Sequence, residues 1–215
     1  MDRRTFLNLG AAGLLLAALR PAAAEVNAGH DYLELPEPFA PETGAQIEVR
    51  QFFWYGCPHC YRLEPALNAW LKTLPAEAAF RRSPAIFSES WKPGAQLYFT
   101  LEQLDLLPQL HQAVFEAIHE HKIDLRQDEI LLDWIAARGV DRATFAQAYR
   151  SPAIAARVAA AVNRTGQARI DGVPALIIDG RFLITPSLSS SQQAMLSTAD
   201  ELIVLARQKR ALRPA

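Results

Sequence analysis

Two cysteines occur in this 215-residue chain, and they stand three apart in Cys57-Pro58-His59-Cys60. The segment before them, Gln46 to Tyr55 (QIEVRQFFWY), is rich in β-branched and aromatic residues and stops at Gly56, which predicts a strand. Pro58 suits the first turn of a helix, where its missing N–H is no loss. That helix is predicted to run through Leu63, Leu67, Trp70, Leu71 and Leu74 at helical spacing, with a kink at Pro65 and a stop at Pro75. A cysteine pair at a strand-to-helix junction restricts the chain to α/β architectures built around that junction.

Cysteines three apart on a helix share a face, so their sulfurs can meet without large strain. Their positions make them unequal. Cys57 falls at the helix N-terminus, where unpaired N–H groups and the macrodipole favour a thiolate, and a protonated His59 would favour it further. Cys60, a turn further in, is expected to be more buried and less acidic. Three other uses of such a pair fit less well. A zinc site needs a second ligand pair, and His59 cannot easily share a metal with its own flanking cysteines. Haem attachment needs His directly after the second cysteine, where Tyr61 stands. A structural disulfide across so short a loop contributes little. Redox chemistry is the reading, with no metal and no cofactor beyond a Cys57–Cys60 disulfide. Since a stabilised thiolate makes the disulfide easier to reduce, that disulfide should be oxidising.

Residues 1–24 read as a cleaved export signal: a basic start (Arg3, Arg4), an apolar stretch from Leu9 to Leu19, then Arg20-Pro21-Ala22-Ala23-Ala24. The stretch is too short to span a membrane. Arg3-Arg4-Thr5-Phe6-Leu7 resembles the twin-arginine export motif, with Asp2 and Asn8 departing from its usual flanks. Cleavage removes three Arg and one Asp, leaving 19 basic and 22 acidic residues and a formal net charge of −3. That balance favours solubility and gives no footprint for nucleic acid.

In the mature chain, His30 to Leu35 is a candidate first strand and Phe80 to Phe87 a second core strand. Helical segments are predicted at Ala95–Leu104, Leu107–His119, Asp128–Arg138, Arg142–Arg150 and Pro152–Gly166, with Asp128 and Asp141 as helix caps. Strands return at Ala175–Ile178 and Arg181–Thr185 around an Asp179-Gly180 hairpin turn, before a last helix over Ser191 to Arg210. The order describes an α/β domain over residues 25–90 and 169–215, interrupted by an all-helical insertion over 91–168. His111, His119 and His121 fall in the insertion, but His119 and His121 point to different faces, which argues against a metal site.

Phe52-Phe53-Trp54-Tyr55-Gly56-Cys57-Pro58-His59-Cys60-Tyr61 resembles the active-site segment of the bacterial DsbA family of periplasmic thiol oxidases, and Gly172-Val173-Pro174-Ala175 resembles its second signature, a Val-Pro joined by a cis bond beside the disulfide. The resemblance spans nearly the whole mature chain and implies a thioredoxin fold with an inserted all-helical domain. It implies Cys57 as nucleophile, Cys60 as resolving thiol, His59 within the Pro58-His59 dipeptide as the main tuner, and Val173 and Pro174 as the loop that pairs with substrate backbone. Glu64 matches a family acid near the buried cysteine. Six residues before the first cysteine the family commonly places a second buried acid, thought to aid proton transfer, and here that position is Gln51. An amide cannot act as a base, so proton transfer at Cys60 would fall to water or to Glu64. The partners implied are unfolded or reduced exported proteins, met on an apolar surface formed by Phe53, Trp54 and Tyr55, and a quinone-linked membrane oxidase of the DsbB type. A monomer in the periplasm is expected. A reductase or isomerase, and a thiol-binding holdase chaperone, are the alternative functions.

Overall fold

The computed structural model describes residues 26–212; the predicted export signal lies outside them. Five strands, β1 (Leu33–Glu34), β2 (Ile47–Phe53), β3 (Ala78–Pro84), β4 (Ala175–Ile178) and β5 (Phe182–Ile184), form one sheet in the order β1-β5-β4-β2-β3. β3 runs parallel to β2; the other neighbours are antiparallel. Strand β2 is central and buried along its whole length. The period of two splits it: Ile47, Val49, Gln51 and Phe53 share one face, and Glu48, Arg50 and Phe52 the other. The two charged residues are buried against each other, with Arg50 Nε donating to Glu48 Oε1 at 2.6 Å.

Helix α1 (Pro58–Trp70) leaves the carboxyl end of β2, and a short 3₁₀ turn over Leu71–Thr73 carries the chain on to Leu74. The predicted helix was therefore one turn too long. Pro65 does not end it: it sits on the exposed side, and the helix continues past it. Leu63, Leu67 and Trp70 pack against the sheet and against α7 (Gln192–Ala211) in an apolar core with Val49, Ile178 and Leu202.

Between β3 and β4 lie α2 (Lys92–Gln103), α3 (Leu107–His119), α4 (Asp128–Ala136), α5 (Arg142–Tyr149) and α6 (Pro152–Ala168). They enclose a second core, with Val114, Phe115, Leu131, Ile135, Phe145 and Ile154 at its centre. Phe53, Tyr55, Cys57 and Cys60 belong to this core too, so the insertion forms part of the floor under the cysteines. Asp141 caps α5 by accepting from Thr144 N at 2.8 Å. Asp128 is not a cap: it is the first residue of α4 and pairs with Arg150.

β3 ends at Pro84 rather than reaching Phe87, as expected for a proline closing an edge strand. In the hairpin, Asp179 (φ 55°) and Gly180 (φ 64°) both have positive φ, the type I′ turn that suits the strand twist. A Cβ at Gly180 would lie 1.9 Å from the Phe39 carbonyl oxygen, so only glycine fits.

Candidate active site

Where β2 ends, the chain turns through Trp54–Gly56 and Cys57 N donates to the Trp54 carbonyl at 3.0 Å. Gly56 is obligatory, because a Cβ there would fall 2.3 Å from the Trp54 ring. That ring is itself fixed, stacked on Trp91 with centroids 4.1 Å apart and planes 7° from parallel. Cys57 is the N-cap of α1: its backbone is extended and its sulfur accepts from Cys60 N at 3.4 Å. Pro58 follows as the first helical residue.

The two thiols are buried to different depths and differ in acidity. Cys57 is 7% exposed and Cys60 fully buried. The Cys60 thiol hydrogen-bonded to it, aided by the N–H groups of Cys60 and His59 and by the His59 charge, holds the Cys57 pKa down at about 6 against the opposing effect of burial. Cys60 moves the other way: burial raises its pKa well above the ordinary thiol value, and the charges of Cys57 and Glu64 add to that. Cys57 Sγ also donates to the Val173 carbonyl at 3.3 Å, and the Val173–Pro174 bond is cis. A cavity of about 130 Å³ opens alongside, lined by His59, Leu63, Pro174, Pro186 and Met195. The His59 ring is exposed, with Arg62 Nη2 3.0 Å from its Nδ1.

Beneath Cys60 lies a buried polar cluster. Glu64, one turn along α1, is fully buried rather than solvated. Its carboxylate accepts from Arg82 Nη2 at 2.8 Å and from Gln51 Nε2 at 3.4 Å, and its Oε2 lies 3.6 Å from His111 Nε2. Burial alone would raise the Glu64 pKa; His111 and the Arg82 charge reverse that and hold it below the usual carboxylate value. The structure thus brings Gln51 and Glu64 together below Cys60.

Of the aromatic run expected to face clients, Phe53 and Tyr55 point inward and are buried; only Trp54 is partly exposed. Residues 53 and 55 instead belong to the core shared with the insertion, which claims their rings. Two residues that sequence reasoning set aside belong to the site. His111 Nδ1 lies 2.8 Å from the Tyr55 hydroxyl. His119 Nε2 donates to the Tyr55 carbonyl at 2.8 Å, and its ring stacks on Tyr61. Their spacing of eight residues, two turns on one face of α3, was the available signal. Among the described residues no group of side chains is arranged to hold a metal ion.

Comparison with known proteins agrees with this geometry. The family described as DSBA-like thioredoxin domain matches residues 48–198. The thiol:disulfide interchange protein DsbA of Azotobacter vinelandii is 35% identical over 196 residues, 91% of each chain. The protein of the same name from Bordetella pertussis is 36% identical over 209 residues, 96% of this chain and 100% of that one. Among solved structures, Pseudomonas aeruginosa DsbA superposes with a TM-score of 0.82 at 35% identity, covering 86% of this chain and 97% of that one.

Proposed function

Because the chain belongs to the DsbA family and is a thiol:disulfide oxidoreductase, we propose that it works in the oxidising direction, passing a Cys57–Cys60 disulfide to reduced proteins exported to the periplasm. The observation that carries this reading is the unequal pair: a Cys57 thiol with a pKa of about 6 beside a Cys60 thiol pushed well above its ordinary value. Stabilising the Cys57 thiolate stabilises the reduced enzyme, and so makes the disulfide the stronger oxidant.

A substrate thiolate attacks Cys57 Sγ, the less buried of the two sulfurs, and the Cys57–Cys60 bond breaks. Cys60 leaves and takes up a proton, because its thiolate is disfavoured where it lies. A second substrate thiolate then attacks the substrate sulfur of the mixed disulfide and releases Cys57 as the stabilised thiolate. Two electrons pass from substrate to enzyme. Where a client offers no second thiol, Cys60 attacks Cys57 and frees it. Val173, whose carbonyl meets Cys57, and Pro174 pair with the client backbone, and the adjoining cavity takes an apolar side chain. His59, next to Pro58, tunes Cys57, and Glu64 with Gln51 manages the proton at Cys60. A quinone-linked membrane oxidase of the DsbB type restores the disulfide. The enzyme acts as a monomer, delivered by the export signal.

The test is the reduction potential of the mature protein, equilibrated in graded glutathione buffers and followed by tryptophan fluorescence. A value well above the glutathione couple is expected; one well below it would make the protein a reductase. Cys57→Ser should abolish oxidation of a reduced client. A Cys57→Ser protein that retained its full effect on client folding would instead be a holdase.

A further inference from the structure

We infer that His111 is a positioning residue for the redox reaction: paired with Glu64 across the domain junction, it accepts the proton that leaves Cys60, a task the amide of Gln51 cannot perform. The inference rests on the oxidoreductase reading above and extends it to a residue of the helical insertion.

His111 is 7% exposed and lies on α3, far in sequence from Cys57, Cys60 and Glu64. Its Nδ1 meets the Tyr55 hydroxyl at 2.8 Å, and its Nε2 is buried with no hydrogen-bond partner, 3.6 Å from Glu64 Oε2. A phenol can donate or accept, so Tyr55 can serve the ring whether or not Nδ1 carries a proton. The groups facing the ring are Glu64 from α1, Arg82 from β3, Tyr55 from the turn after β2, and the Tyr98 ring from α2, with centroids 6.0 Å apart. Burial and the Arg82 charge lower the His111 pKa, and Glu64 opposes them, so the resting ring is neutral and able to accept.

Glu64 alone is a poor base, because His111 and the Arg82 charge together hold its pKa below the usual carboxylate value. An imidazole is by its ordinary pKa the more basic of the two groups. During resolution of a mixed disulfide the Cys60 thiol gives its proton to the Glu64–His111 pair, where it rests as imidazolium facing carboxylate. The Cys60 thiolate attacks Cys57 Sγ, the Cys60–Cys57 bond forms, the Cys57–substrate bond breaks, and the substrate leaves as a thiolate. The pair later returns its proton to solvent. Glu64 lies one turn from Cys60 on the buried side of α1, near enough for its charge to act on the thiol.

The test is the release of a single-cysteine peptide from a mixed disulfide at Cys57, followed in one turnover from pH 5 to pH 8. Wild type should quicken as the pair loses its proton. His111→Gln, which can hydrogen-bond but cannot take a proton, should slow release by ~100-fold and flatten the profile, with iodoacetamide alkylation of Cys57 unchanged. A variant that keeps the wild-type rate and profile would overturn the inference. So would slowing matched by an equal change in Cys57 alkylation, the mark of a merely structural role. Should the variant not fold, ¹⁵N-imidazole NMR of the wild-type protein decides: the His111 signal and its titration must differ between disulfide and dithiol states, and identical signals overturn the inference. Wild-type protein that releases no peptide at any pH would remove the oxidoreductase reading, and this one with it.

Discussion

Helix α1 has two neighbours of opposite character. Toward the sheet and α7 it presents Leu63, Leu67 and Trp70 to an apolar core, at whose edge the Trp70 indole N–H donates to Asp200 of α7 at 2.8 Å. Toward α3 it presents Cys60 and Glu64, the latter held by Gln51 and Arg82 with His111 alongside. The first side is stabilised by apolar area, about 25 cal/mol per Å² buried, and each residue contributes largely on its own. The second is stabilised by mutual compensation, so that removing one member leaves the others buried and unpaired. Burying charge beside a thiol adds little to stability. What it supplies is a difference in acidity between two sulfurs three residues apart.

The comparison can be broken by mutation. Glu64→Ala should have the largest effect, destabilising the protein by roughly 3–5 kcal/mol at pH 7, because Arg82 loses its buried counter-charge and Gln51 its buried acceptor. The folded-state pKa of Glu64 is depressed, so its contribution is full above the ordinary carboxylate value and fades as the pH falls through the folded one. The gap between variant and wild type in urea unfolding should therefore narrow below about pH 4. Leu67→Ala, on the apolar side, should cost roughly 2–4 kcal/mol, equally at pH 4 and pH 7. A pH-dependent Leu67→Ala deficit, or a pH-independent Glu64→Ala one, would erase the distinction between the two sides.

Titration sharpens it. Cys57, at about 6, lies below the ordinary thiol value of 9.0. Its contribution to the stability of the reduced protein is thus full above the ordinary value and lost as the pH falls through about 6. Urea midpoints of the reduced protein should rise from pH 6 to pH 9 relative to those of the disulfide form, which has no thiolate to stabilise. The smallest effect is expected of His59→Ala. The exposed ring acts on Cys57 after Cys60 and the helix N–H groups have acted, so thiolate absorbance should show less than about a tenfold change in ionisation at fixed pH. The disulfide should become slightly less oxidising, and an unchanged potential would remove His59 from the mechanism.

The apolar side of α1 was legible in the amino-acid sequence, since Leu63, Leu67 and Trp70 repeat at helical spacing. So were β4 and α3 to their end residues, and the Asp179-Gly180 turn, each encoded within a few neighbouring positions. The polar side was legible only in part. Glu64 and Gln51 could be singled out by resemblance, but the burial of Glu64 depends on Arg82, 18 residues away, and on His111 from helix α3. No local pattern announces such a partnership. Phe53 and Tyr55 misled for the same reason: an aromatic run beside an active site looks like a docking surface until the insertion is seen to bury two of its rings.

Gly56 bears on how such chains can diverge. A side chain there must displace the Trp54 ring, and that ring lies flat against Trp91 in another part of the chain. Positions 54, 56 and 91 consequently form one unit of inheritance. A descendant that acquires even a methyl group at 56 must shrink residue 54 and refill the space beside residue 91, so these three positions should drift together while their neighbours change one at a time.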